Sequence, residues 1–157
     1  MAENKKIKNA RKTVFNNITF KSKLEEGFYI TLQQAGFDVK YEEIKFILIE
    51  GFNPTVPFYN RNKAKVFKED SRKIKAITYT PDFTFTHNNT LIIIEAKGLE
   101  NDVFPIKRKL FRRYLETMKE PCMYFEVHTK RELLQVIEIV KNETIESNKV
   151  TIKGTSS

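Results

Sequence analysis

The chain has 157 residues, enough to bury the core of one domain and too few to argue for two. Its longest apolar run, Leu91-Ile92-Ile93-Ile94, falls far short of the roughly 18 residues a membrane span needs, and its charged start has no apolar signal segment behind it. A soluble, cytoplasmic protein without membrane contact is expected. The single Cys122 excludes an internal disulfide, and with only His87 and His128 beside it no zinc site is expected, so any metal should be oxygen-ligated.

The net charge is +8 and lies in blocks. Residues 1–23 are net +6, residues 61–75 net +5 and residues 107–113 net +5, which leaves the rest of the chain at −8. Such clustering fits a polyanionic partner, most simply a nucleic-acid backbone. A solvated surface with a basic tail is the plainer alternative.

Residues 1–18 are polar, basic and aperiodic, and read as a flexible arm. The folded domain is expected over 19–141. Leu24, Phe28, Thr31, Leu32 and Ala35 repeat with helical spacing, Ser22 can cap the start with Glu25 three residues on, and Gly36 can stop it, so a helix is predicted over 23–35. Val39–Phe52 has β character, with Phe46 and Leu48 alternating against Ile47 and Ile49. Residues 53–75 form a basic, aromatic insertion that is either a protruding loop or a long hairpin, with Lys63, Lys65, Lys68, Arg72, Lys73 and Lys75 as its phosphate contacts if it binds DNA.

Ile77–Phe85 then reads as a strand and Leu91–Lys97 as its partner. Asp102–Lys119 reads as a helix with Ile106, Leu110, Phe111, Tyr114, Leu115 and Met118 on its apolar side, ended by Pro121. A strand over Cys122–His128 and a helix over Arg131–Lys141 follow, and 142–157 reads as a flexible tail. Strand, helix, strand is the order of a parallel crossover added to an antiparallel hairpin.

That hairpin carries the chemistry. With Asn88 and Asn89 as the two central turn residues, Asp82 falls opposite Glu95, their Cβ atoms about 5 Å apart, and Lys97 projects from the same face. Leu91–Ile94 is apolar on both faces, so Glu95 enters a partly desolvated region beside a like charge. A divalent cation would relieve it, and Mg²⁺ or Mn²⁺ takes carboxylate and water oxygens. Such a site would suit phosphodiester hydrolysis, with Lys97 holding the water or the pentavalent state. Singly, each residue has an ordinary explanation: a strand-edge acid, an ion pair at a strand end, a Ser22–Glu25 capping box.

Pro81-Asp82 followed 13 positions later by Glu95-Ala96-Lys97, after an acid-bearing helix, resembles the PD-(D/E)xK nuclease motif. Ser22-Lys23-Leu24-Glu25, Tyr79-Thr80-Pro81-Asp82-Phe83, Glu95-Ala96-Lys97-Gly98 and the basic Lys107-Arg108-Lys109-Leu110-Phe111 are similar to small phage and prophage endonucleases grouped with Holliday-junction resolvases and endonuclease I. The resemblance covers roughly residues 20–128. It implies an α/β, restriction-endonuclease-like core, a mixed central sheet flanked by helices.

It further implies Asp82 and Glu95 as metal ligands, Glu25 (with Glu26 as its rival) completing the metal or water site, and Lys97 as catalytic lysine. Lys107 and Lys109 would contact phosphate, with Arg108 and Arg112 as further candidates. The expected activity is metal-dependent cleavage of branched or junction DNA by a homodimer in a bacterial host cell, with duplex-cutting relatives of restriction, transposition or recombination type as the alternative. A non-catalytic DNA-binding protein is the rival outside enzymes.

Overall fold

A computed structural model of the chain describes residues 10–98 and 103–153, with side chains up to residue 143. The start of the expected arm (1–9), the first residue expected of the basic helix (Asp102) and the last four of the tail (154–157) lie outside the described residues. The chain divides into two compact units, one formed by residues 1–44 with 80–157 and the other by Lys45–Tyr79.

The larger unit opens with a hairpin that the sequence reading assigned to the flexible arm. Strands β1 (Thr13–Phe15) and β2 (Ile18–Phe20) pair antiparallel around Asn16 and Asn17, with φ of 50° and 62°. Asn tolerates the left-handed region that a tight two-residue turn demands at both positions. Phe20 is fully buried against Tyr29 and so ties the hairpin to the core. Helix α1 (Lys23–Gln34) follows, one residue shorter than predicted. Its cap is Ser22, whose Oγ accepts the Glu25 N–H at 3.2 Å. Gly36 beyond its end takes φ 91°, the left-handed conformation that ends helices most cheaply at glycine. Phe28 and Leu32 are buried on its inner face.

The central sheet has four strands, Cys122–Val127, Thr90–Ala96, Phe83–His87 and Lys40–Tyr41, in that order across the sheet. Strand β3 (Lys40–Tyr41) runs antiparallel to β8 (Phe83–His87), which is antiparallel to β9 (Thr90–Ala96). The predicted turn holds: Asn88 and Asn89 have φ of 46° and 62°, and the register pairs His87 with Thr90 through to Phe83 with Ile94. Strand β10 (Cys122–Val127) lies parallel to β9, as the crossover predicted, with Glu126 beside Glu95. The sheet is therefore mixed.

Period two sorts its faces. Phe83, Phe85, Ile92, Ile94 and Val127 join Phe20, Phe28, Leu32 and residues of α3 (Lys130–Lys153) in the main core. Fully burying each large side chain of this set is worth about 1.5–3 kcal/mol. The opposite face carries Glu95, Lys97, Tyr124 and Glu126, where α2 (Phe104–Leu115) meets it.

The smaller unit is a long hairpin, one of the two forms expected for the insertion. Its base pairs β4 (Phe46–Ile49) with β7 (Ile77–Tyr79), and its outer part pairs β5 (Tyr59–Arg61) with β6 (Phe67–Glu69). A Cβ on Gly51 would lie 2.9 Å from the Ile74 carbonyl oxygen, so the backbones can approach only at glycine there. The single strand expected over Ile77–Phe85 is in fact two, β7 and β8. Pro81 lies between them and has no N–H for a ladder, which is the physical reason for the break.

Two helix ends also differ from expectation. Helix α2 closes at Leu115 rather than Lys119, and its buried residues are Phe104 and Phe111, whereas Ile106, expected on the apolar side, is 63% exposed. Helix α3 continues to Lys153, past the expected end at Lys141, where a flexible tail was expected to begin. Its start is a capping box: Thr129 Oγ1 accepts the Glu132 N–H, and Glu132 Oε2 accepts the N–H groups of His128 and Thr129.

Candidate functional site

Asp82 sits one residue before β8, at the end of the ladder that pairs Phe83 with Ile94. Its carboxylate does not simply face Glu95 across a continued sheet. Asp82 Oδ2 accepts the Ala96 backbone N–H at 2.7 Å, so the side chain closes the hairpin where backbone pairing stops. Its carbonyl oxygen accepts the Glu42 N–H at 2.8 Å, which holds the residue from the other side. Only 9% of Asp82 is exposed.

Glu95 and Lys97 occupy the end of β9 and the residue just beyond it. Lys97 Nζ donates to Glu95 Oε1 at 2.8 Å and lies over the Phe104 ring of α2. Both side chains are almost wholly enclosed, with 10% and 12% of their surface left for lysine and glutamate. The Lys97 N–H donates to the Val127 carbonyl, so the parallel pairing with β10 fixes the backbone from which the ammonium projects.

Glu25 approaches from α1. Ser22 Oγ donates to its Oε1 at 2.9 Å, the Lys21 N–H donates to its Oε2 at 3.2 Å, and the Tyr41 hydroxyl from β3 donates to the same Oε2. Glu25 is buried and Glu26 is half-exposed, so of the two rivals Glu25 is the acid turned inward. The sequence reading had the cap but missed Tyr41 and Lys21 as the groups that hold this carboxylate. Burial and the hydrogen bond to Glu25 push the Tyr41 phenol up, so it stays a donor throughout the ordinary pH range.

The electrostatics follow from these placements. Burial first, and then the charges of Glu95 and Glu25, push the Asp82 carboxyl up to about 8, against the pull of the Ala96 N–H and of Lys97. Burial pulls the Lys21 ammonium down, but its ion pair with Glu42 and the nearby charges of Asp82 and Glu25 outweigh this and hold it above the usual lysine range.

Glu126 is a further acid that the sequence reading passed over. It is the register partner of Glu95 on β10 and shares its face. Arg108 Nε donates to Glu126 Oε1 at 2.5 Å, the Tyr124 hydroxyl donates to the same oxygen at 3.0 Å, and the guanidinium of Arg108 lies over the Phe104 ring. Arg108 is therefore engaged in docking α2, while Lys109 and Arg112 are exposed and Lys107 is half-buried. On the long hairpin Lys63, Lys65, Lys68, Arg72, Lys73 and Lys75 are all exposed, with Arg72 paired to Asp70. The signal for Glu126 was available: an acid in phase with the strand that the crossover lays beside Glu95.

The donors suit a hard divalent cation, since carboxylate oxygens are what Mg²⁺ and Mn²⁺ take. The fit rests on Asp82, a carboxylate nine-tenths buried beside two others, whose hydrogen bonding among the described residues is confined to Oδ2. The three-carboxylate set expected from Glu25, Asp82 and Glu95 is not assembled. Among the described residues no group of three or more His, Cys, Asp or Glu side chains is placed to hold an ion. Glu25 accepts from Ser22, Lys21 and Tyr41, and Glu95 from Lys97, so each of these two carboxylates already has protein donors.

Among the described residues no helix is long and apolar enough to cross a membrane. No curated protein and no solved structure matches the chain. Residues 5–131, which include every acid and lysine of the site, match the family described as "Protein of unknown function (DUF1064)", and the chain belongs to that family.

Proposed function

We propose that the face carrying Asp82, Glu95 and Lys97 is the active site of a metal-dependent endodeoxyribonuclease of the PD-(D/E)xK type. The observation that carries this reading is Asp82: a carboxyl buried beside Glu95 and Glu25 and pushed up to about 8, at the end of a strand whose partner bears Glu95 and Lys97. The Ala96 N–H answers one oxygen of this acid, and a cation or a substrate group would answer the charge that burial beside two other acids disfavours. Asp82 and Glu95 would hold the cation. Bound there, Mg²⁺ or Mn²⁺ supplies an acidified water and neutralises charge on a phosphate.

The chain's own residues do the rest. The Ala96 N–H orients Asp82, and Lys97 steadies Glu95 and presents its ammonium to the oxygens of a phosphate or water entering the site. Glu25, fixed by three donors, contributes negative charge from the α1 side. The substrate on this reading is DNA, with the exposed Lys109 and Arg112 of α2 and the basic hairpin as phosphate contacts. Branched or junction DNA is the preferred form by resemblance, and paired incision would call for a two-fold dimer that brings two sites together.

A non-catalytic DNA-binding protein is the second reading, favoured by the lack of a three-carboxylate cluster among the described residues. Cleavage of labelled four-way-junction, flap and linear duplex DNA, with Mg²⁺ and with EDTA, separates the two. Asp82→Asn should abolish cutting, and Lys97→Ala should lower turnover by about 10²–10³-fold, while both still bind DNA. If no protein cuts any substrate with Mg²⁺ or Mn²⁺ and all bind equally, the second reading replaces the first.

A further inference from the structure

The outer part of the long hairpin is a two-stranded ribbon, and such ribbons need a partner surface to be stable. Register places Tyr59 opposite Glu69 and Arg61 opposite Phe67, so period two puts these four side chains on one face, with Asn60 and Lys68 on the other. On that first face the rings of Tyr59 and Phe67 lie 6.2 Å apart and within 12° of parallel. They are 52% and 71% exposed. Two near-parallel, largely exposed rings beside an arginine are a costly arrangement for a surface that meets only water.

The tip is closed by hydrogen bonds across its loop. Asn62 Oδ1 accepts the Val66 N–H at 3.0 Å, the Asn62 N–H donates to the Val66 carbonyl at 2.9 Å, and Lys65 turns the chain at φ 60°. This loop presents Lys63 and Lys65, both exposed, and residues 61–75 are net +5. A second copy of the chain would bring the same basic block against itself. A lipid surface would favour rings at the tip, but the tip is lysine and the rings stand behind it on the strands. Flat ring faces flanked by cations match a strand of nucleic acid whose bases are unpaired: bases stack on the rings and phosphates meet the basic side chains.

We propose that the ribbon Tyr59–Glu69 binds unpaired nucleotides, with Tyr59 and Phe67 as the stacking platform and Arg61, Lys63 and Lys65 as the phosphate contacts. This rests on the reading of the partner as DNA, and it would direct the protein to junctions, flaps or ends in preference to continuous duplex.

The test is fluorescence anisotropy in EDTA, where no hydrolysis can occur, using labelled oligo(dT) and a duplex of equal length. Tyr59→Leu/Phe67→Leu keeps apolar bulk but removes both ring faces. It should weaken oligo(dT) binding about 10- to 100-fold and duplex binding less than about twofold. Lys63→Gln/Lys65→Gln should weaken both and lower the salt dependence of each. The proposal is overturned if the leucine variant binds oligo(dT) as the wild type does. It is equally overturned if the wild type binds phosphatidylserine–phosphatidylcholine vesicles at a salt concentration where it binds no oligo(dT). Because Asp82→Asn keeps the ribbon, the two readings fail separately: binding without cleavage removes the nuclease alone, and cleavage with unaltered leucine-variant binding removes the ribbon site alone.

Discussion

Replacing Asp82 by asparagine should stabilise the metal-free protein, and by an amount that grows with pH. The amide oxygen of the new side chain can still accept the Ala96 N–H that Asp82 Oδ2 accepts at 2.7 Å, so the hairpin remains closed and only the charge is lost. The folded-state carboxyl titrates at about 8, raised by burial and then by Glu95 and Glu25, whereas in the unfolded chain it titrates near 3.8. Between those values the folded protein holds a proton that the unfolded chain has lost, so the wild type loses stability as pH rises from about 4 towards 8. Integrated over that window, the cost is on the order of 5 kcal/mol.

For a domain of this size that corresponds to on the order of 10 °C in melting temperature. Thermal melts of wild type and Asp82→Asn in EDTA, at steps from pH 4 to pH 9, should show curves that nearly coincide in acid and diverge upward for the variant. A difference independent of pH, or a variant less stable at pH 9, would refute the claim that burial and the neighbouring acids raise the Asp82 carboxyl. Adding Mg²⁺ at pH 8 should then raise the wild-type melting temperature, by about 3 kcal/mol in stability at a hundredfold excess over its dissociation constant, and leave the variant unchanged.

Tyr41→Phe removes a donor to the buried Glu25 carboxylate and should cost about 1–3 kcal/mol in urea denaturation, with little change in slope. Phe83→Ala empties a wholly buried position of the sheet and should cost about 3–5 kcal/mol by the same measurement. Asn89→Gly relieves a residue at φ 62° and should be neutral or stabilising by up to about 1 kcal/mol, whereas Asn89→Val should cost about 1–2 kcal/mol or more; thermal melts distinguish the pair. Glu126→Gln weakens the pair with Arg108 and should loosen α2, read as faster amide exchange over Phe104–Leu115 while α1 is unchanged.

Much of the scaffold was legible because it is encoded locally. Ser22 and Gly36 bound α1, and the apolar spacing of Phe28 and Leu32 marks its inner face. The Asn88-Asn89 pair sets the hairpin register, since a two-residue turn leaves one way to align the strands, and that register brings Asp82 to the end where Glu95 and Lys97 lie. The same signal at Asn16-Asn17 was passed over because three-residue strands carry too little periodicity beside a basic tail. The Thr129–Glu132 capping box at the start of α3 is also a local signal, and it too was passed over.

Other features had no local signature, because they are agreements between segments far apart in the chain. That Glu25 rather than Glu26 turns inward depends on Tyr41, 16 residues later, which supplies the donor that makes a buried carboxylate tolerable. That Arg108 faces the sheet and Ile106 faces solvent depends on Glu126 and Phe104, since a guanidinium takes an inward position only where an acid and a ring receive it. Likewise, the sequence suggested three carboxylates for one ion, and only the packed structure shows Glu25 occupied by Ser22, Lys21 and Tyr41. Turn and cap chemistry is a property of a few neighbouring residues, but the environment of a buried charge is a property of everything folded around it.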